Sequence, residues 1–115
     1  MRVGYVDPLN LITDLDLLSS NIKRSSIVRS LIYAYDLPKH MTIIQPQKAT
    51  DLDFIEFHSD DYIQSIKKAS STNQEEFGLT DDCYLFEGVY EYIKAVAGTT
   101  LCAAQALKNQ MFLLK

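Results

Sequence analysis

The sequence is short of the residues that carry most enzymatic chemistry. It has two histidines, His40 and His58, two cysteines, Cys83 and Cys102, and no tryptophan. The cysteines do not fall in a C-x-x-C spacing, which argues against a disulfide framework and against a structural zinc site. Two reduced thiols in an intracellular protein is the plain expectation. A hydrolytic zinc site draws about three ligands from His, Asp, Glu or Cys onto one open position, and two isolated histidines do not supply that set. No G-x-G-x-x-G, P-loop, G-x-S-x-G or H-E-x-x-H pattern occurs. The N-terminus has no apolar h-region, and no run approaches the ~20 apolar residues that span a bilayer. A soluble chain with no membrane partner is expected. A basic face is missing too: the formal net charge is −4, a poor basis for direct nucleic-acid binding. No internal repeat is present.

What is there is a globular composition. Of 115 residues, 47% are apolar and 23% charged, as expected of one packed domain or part of one. Arg2-Val3-Gly4-Tyr5-Val6 is β-prone and is stopped by Asp7-Pro8. Residues 9–22 read as a loop with one helical turn. Ile27, Leu31 and Ala34 recur at helical spacing, as do Val28, Ile32 and Tyr35, and Ser25 or Ser26 is placed to cap that helix. Met41 to Ile44 is a short extended run. Thr50-Asp51-Leu52-Asp53 and Ser59-Asp60-Asp61 both look like helix starts, with a hydroxyl followed by acids in the first turn. The longest helix is expected from about Phe86 to Lys108, with Phe86, Val89, Tyr90, Ile93, Ala97, Thr100, Leu101, Ala104 and Leu107 on one face and Ala95, Gly98, Ala103 and Ala106 keeping much of the rest thin, as in a helix packed closely against neighbours on several sides. The closing apolar run, Met111 to Leu114, suits the start of a buried strand. With one firm strand and several helices, the pattern suggests a parallel sheet whose crossover includes the last helix.

Three features could carry function. His40 and His58 sit beside loop and helix-start residues, where packing or local hydrogen bonding explains them. Asp81-Asp82 follows Phe77-Gly78-Leu79-Thr80. Taken alone it is a turn or cap, or an exposed carboxylate able to accept N–H bonds from a peptide ligand. Lys23-Arg24-Ser25-Ser26 is either a plain helix cap or a phosphorylation site for a kinase that prefers basic residues, and a helix N-terminus tolerates a phosphate.

Several of these segments, in order, resemble one family. Lys23 to Leu37, Phe57-His58-Ser59-Asp60-Asp61-Tyr62-Ile63, Phe77-Gly78-Leu79-Thr80-Asp81-Asp82-Cys83, and the helix from Glu87 to Leu107 are similar to successive segments of class I histone deacetylases, nearest to their eight-type branch. The likeness covers about residues 2–110. It implies the N-terminal part of an arginase-like α/β fold, a central parallel sheet flanked by helices. It implies hydrolysis of acetyl-lysine by a zinc-activated water in the complete enzyme, with acetylated histone or another acetyl-lysine protein as partner, in the nucleus and also the cytoplasm.

By the same resemblance, Asp82 matches a rim aspartate that holds substrate backbone amides. Arg24 matches an arginine near an internal cavity below the catalytic site, and Ser26 a serine that is phosphorylated. His58 matches a histidine without a catalytic role. Tyr84 stands where the family has proline, and Asp81 where an aromatic is usual. The family's zinc-binding segments and its transition-state tyrosine correspond to sequence beyond residue 115. No zinc ligand and no catalytic residue is therefore assigned here, and this chain by itself is expected to be inactive and to bind no zinc. The second reading is a non-catalytic interaction module that keeps this front end.

Overall fold

The computed structural model describes residues 2–68 and 85–109. Two three-residue strands, β1 (Gly4–Val6) and β2 (Thr42–Ile44), pair in parallel. Their register sets Tyr5 opposite Ile43 and Val6 opposite Ile44, and Asp7 N–H extends the ladder by donating to Ile44 O at 2.9 Å. The strand at the N-terminus therefore has its parallel partner within the first 44 residues. The connection between the two runs through residues 7–41, which form α1 (Ile12–Leu15), α2 (Arg24–Ala34) and flanking 3-10 turns, and the crossover expected through the last helix leads into residues outside those described. The extended run at Met41–Ile44 was too short to reveal its place beside β1. The apolar run Met111–Leu114 lies outside the described residues.

After β2 come α3 (Asp51–Ile55), α4 (Asp60–Lys68) and α5 (Val89–Lys108). Both expected acidic helix starts are present. Thr50 and Asp53 form a reciprocal capping box, with Asp53 N–H donating to Thr50 Oγ1 and Thr50 N–H to Asp53 Oδ2 at 2.7 Å. Ser59 Oγ accepts from Tyr62 N–H at the start of α4.

The start of α5 differs from the sequence reading. It begins at Val89 because Gly88 holds a left-handed φ of +84°, which a residue with a side chain rarely adopts. Its packed face differs too. Ala95, Gly98 and Ala106 are buried, whereas Leu101 and Leu107 are exposed. Close approach selects this line of small residues. A Cβ at Gly98 would lie 2.0 Å from Gln47 O, and Ala49 N–H donates to Lys94 O at 2.9 Å, so the segment after β2 crosses α5 nearly backbone to backbone. Buried Pro46 lies in that crossing. Leu11 and Leu15 pack on Ala95 at its centre.

Candidate functional site

Two of the predicted site residues, Arg24 and Ser26, lie in the first turn of α2. Lys23 takes a left-handed conformation (φ +60°), which turns the chain into the helix at Arg24. Neither serine caps it, as had been expected from the sequence. Ser25 and Ser26 lie inside the first turn, and the cap comes from Asp16. Its Oδ1 accepts from Ser26 N–H at 2.9 Å, and its Oδ2 accepts from the Ser26 hydroxyl. A carboxylate suits a helix N-terminus, where the backbone dipole favours negative charge. The sequence placed acids in residues 9–22 but could not show which one folds back ten residues on.

Arg24 stands on the wall of a cleft of about 390 Å³. Leu15, Val28 and Ile32 give the cleft apolar walls, and Tyr5, Asn21, Arg29 and Tyr92 line it with polar groups. Tyr5 comes from β1 and Tyr92 from α5, so the cleft is made where strand, α2 and the long helix meet. Arg29 had no part in the sequence reading. It is held from behind by Asp7: Arg29 Nε donates to Asp7 Oδ1 at 2.6 Å and Nη2 to Asp7 Oδ2 at 2.9 Å. The Tyr33 hydroxyl donates to Asp7 Oδ2, Leu9 N–H donates to Oδ1 at 3.2 Å, and the Arg29 guanidinium stacks on the Tyr33 ring at 4.2 Å. Asp7 is buried, at 7% exposure. The hydrogen bonds from Arg29 hold its carboxyl below the ordinary aspartate range, against the opposing effect of burial. Burial, and then the Asp7 charge, push the Tyr5 hydroxyl upward. An i, i+4 pair on an exposed helix and a residue before a proline gave no signal of this cluster, because its members are 22 residues apart.

Two further polar clusters tie the helices together. Lys48 bridges Asp14 at 2.8 Å and Glu91 at 2.6 Å, which joins α1 to α5. Asp51 accepts from Lys67 and from the Tyr90 hydroxyl, which joins α3, α4 and α5. These hydrogen bonds, that from Lys67 foremost, lower the Asp51 pKa. Burial, with the Asp51 bond second, raises that of Tyr90 strongly. His58 rests between Phe57 and Tyr62, with ring centroids 4.9 and 5.6 Å away. Among the described residues no three His, Cys, Asp or Glu side chains converge to hold a metal. Asp82, with Asp81, Cys83 and Tyr84, lies outside the described residues.

The comparison with known families bears on this arrangement. The family model for the histone deacetylase domain matches residues 18–113, which takes in α2, the cleft arginines and α5. The chain belongs to the histone deacetylase family. It is 40% identical over 111 residues to histone deacetylase 8 of Danio rerio, an alignment covering 91% of this chain and 29% of that protein. It is 41% identical over 91 residues to histone deacetylase 8 of Xenopus tropicalis, covering 74% of this chain and 25% of that protein. The chain thus spans less than a third of the length of these curated relatives. The deacetylase-family match begins after Asp7, so the acid that holds Arg29 falls outside it. No helix among the described residues is long and apolar enough to cross a membrane.

Proposed function

We propose that residues 1–115 form the N-terminal portion of a protein-lysine deacetylase domain of arginase-like fold. The match of the histone deacetylase family over residues 18–113 carries this reading, and the parallel β1–β2 pair flanked by helices supports it. In the complete domain a bound zinc ion would supply the activation of water needed to hydrolyse acetyl-lysine. The contribution of this chain is to substrate and cavity rather than to the reacting atoms. Asp82 accepts backbone N–H bonds of the acetylated histone or other acetyl-lysine protein at the pocket rim. Arg24 gives the internal cleft its positive charge. The setting is nuclear and cytoplasmic, in chromatin regulation and transcriptional repression.

Ser26 is the proposed phosphorylation site, and Asp16 changes what that modification does. A helix N-terminus alone would welcome the phosphate, but here a carboxylate already occupies that place. Adding about two negative charges beside it breaks the cap by repulsion.

Release of acetate from an acetyl-lysine peptide tests the reading. The 115-residue chain alone is expected to release none. The same chain joined to the remaining deacetylase sequence of a relative is expected to release acetate in a zinc-dependent way, and Asp82→Ala in that chimera to raise KM more than it lowers kcat. A chimera that folds, binds zinc and remains inactive would overturn the proposal. The non-catalytic alternative draws on the exposed apolar face of α2, with Ile27, Leu31 and Tyr35 at 64%, 55% and 71% exposure. A sharp, cooperative, zinc-indifferent melt of the chain alone would favour it.

A further inference from the structure

A separate group of basic residues gathers where β1 and β2 begin, at the opposite end of the strands from Asp7. A pocket of about 460 Å³ is lined there by Arg2, Val3, Lys39, His40, Met41 and Thr42. Three of these residues are basic and none is acidic, in a chain whose formal net charge is −4. The strand register brings them together. Gly4 lies opposite Thr42, and Thr42 N–H donates to Val3 O at 2.9 Å as the first bond of the ladder. Just before that bond Arg2 leads into β1, and His40 closes the 3-10 turn Leu37–His40 that leads into β2. Met41 N–H donates to Pro38 O at 3.1 Å and Lys39 N–H to Asp36 O at 3.4 Å, so Lys39 and His40 project from a hydrogen-bonded turn. Gly4 has no side chain to cover Thr42, whose hydroxyl stays exposed.

Neither Arg2 nor His40 forms an ion pair with any of the described residues. Lys39 pairs with Asp36, but the two side chains are 70% and 60% exposed, and a pair so exposed is weak enough to yield to a better ligand. Asp36 itself does not line the pocket. We infer that this pocket is a binding site for the phosphate monoester dianion of a small solute. The planar fork of Arg2 suits two phosphate oxygens, Lys39 supplies the second positive charge, and His40 and the Thr42 hydroxyl add donors to the remaining oxygens. A monocarboxylate would use the arginine alone and leave Lys39 with Asp36. The charge of the whole chain decides against an extended polyanion. A membrane surface or a nucleic acid would meet the excess carboxylates within a Debye length of ~10 Å as well as the pocket, whereas a small ion inside the pocket meets the basic groups first.

The test titrates inorganic phosphate and glycerol 3-phosphate into the 15N-labelled 115-residue chain at constant ionic strength. Acetate serves as the monoanion, and vesicles of phosphatidate in phosphatidylcholine as the extended surface. Both phosphates are expected to shift the amides of Val3, Lys39, His40, Met41 and Thr42, acetate to shift them far less, and the vesicles not to bind. Arg2→Ala is expected to weaken glycerol 3-phosphate about tenfold, the value of one charged hydrogen bond, and Arg2→Lys to restore only part of that loss. Arg2 is exposed and precedes β1, so the circular dichroism of both variants should match the parent. Asp36→Asn frees Lys39 and is expected to tighten the phosphate about threefold, a gain that damage to the fold would not produce. Asparagine also tolerates the left-handed backbone at that position (φ +59°). Phosphate shifts centred on α2, unchanged affinity in Arg2→Ala, or vesicles bound in preference to the soluble ester would each overturn the inference. An Asp36→Asn chain that binds phosphate no more tightly than the parent would overturn the part given to Lys39.

Discussion

A single side chain such as Asp7 is informative because it is both buried and charged. Removing one partner of a buried pair leaves the other uncompensated, which costs roughly 3–5 kcal/mol. Arg29 keeps 21% side-chain exposure, so the lower end applies: Asp7→Ala is expected to lower stability by about 3 kcal/mol in urea unfolding. The acid response has a definite sign. The pKa values of Asp7, Asp51 and Glu91 are all lowered in the folded chain, each through hydrogen bonds from Arg29, Lys67 and Lys48 respectively. Groups lowered on folding contribute stability above their unfolded pKa and lose it as pH falls through the folded value. Melting temperature is expected to be level from pH 7 to about 5 and to drop steadily below about pH 4. A melting temperature that rose on acidification would show that these pairs do not hold the fold.

At the scale of the element, the two positions that decide α2 and α5 are not apolar ones. Asp16→Ala removes the remote cap of α2 and is expected to cost about 1 kcal/mol. Ser26→Glu is expected to destabilise in the parent and to be closer to neutral when Asp16 is Asn, read as the coupling in a double-mutant cycle of melting midpoints. In α5, Gly98→Ala drives a methyl group into the Gln47 carbonyl. This overpacking should cost roughly 1–3 kcal/mol in a denaturant melt, although alanine favours helices. Thr50, Asp53 and Ser59 were legible as helix starts because a capping box is a contact within one turn. The buried face of α5 was legible only in part: Ala95, Gly98 and Ala106 stood out as thin positions suited to close packing, but the large residues were set on the packed face. Periodicity counts large apolar residues, while the contact that buries this helix selects small ones, so Leu101 and Leu107 were placed inside and stand in solvent.

Across the whole molecule the described residues leave much apolar surface open. Ile22, Ile27, Leu52, Phe57 and Leu107 are each at least 60% exposed, while the buried apolar core is made of small groups such as Leu11, Leu15 and Ala95. Patches of that kind mark surfaces that meet other protein. The isolated chain is expected to enhance the fluorescence of an apolar dye and to elute at increasing apparent mass as its concentration rises. A dye-silent, concentration-independent monomer would mean that these faces are self-sufficient.

The sequence alone determined the composition class, the two short strands as extended runs, the acidic helix starts and the ordered segments that mark a histone deacetylase. All of these depend on neighbours within a few residues, or on order along the chain. Only the tertiary structure decided that β2 is the parallel partner of β1, that Asp16 rather than a serine caps α2, and that Asp7 and Arg29 meet. It also decided that Arg24 shares a cleft with Tyr5 and Tyr92. These associations bring together residues 10 to 87 positions apart, and partial burial strengthens the hydrogen-bonded ones. Burial is a property of the folded chain, and no local pattern of residue types encodes it.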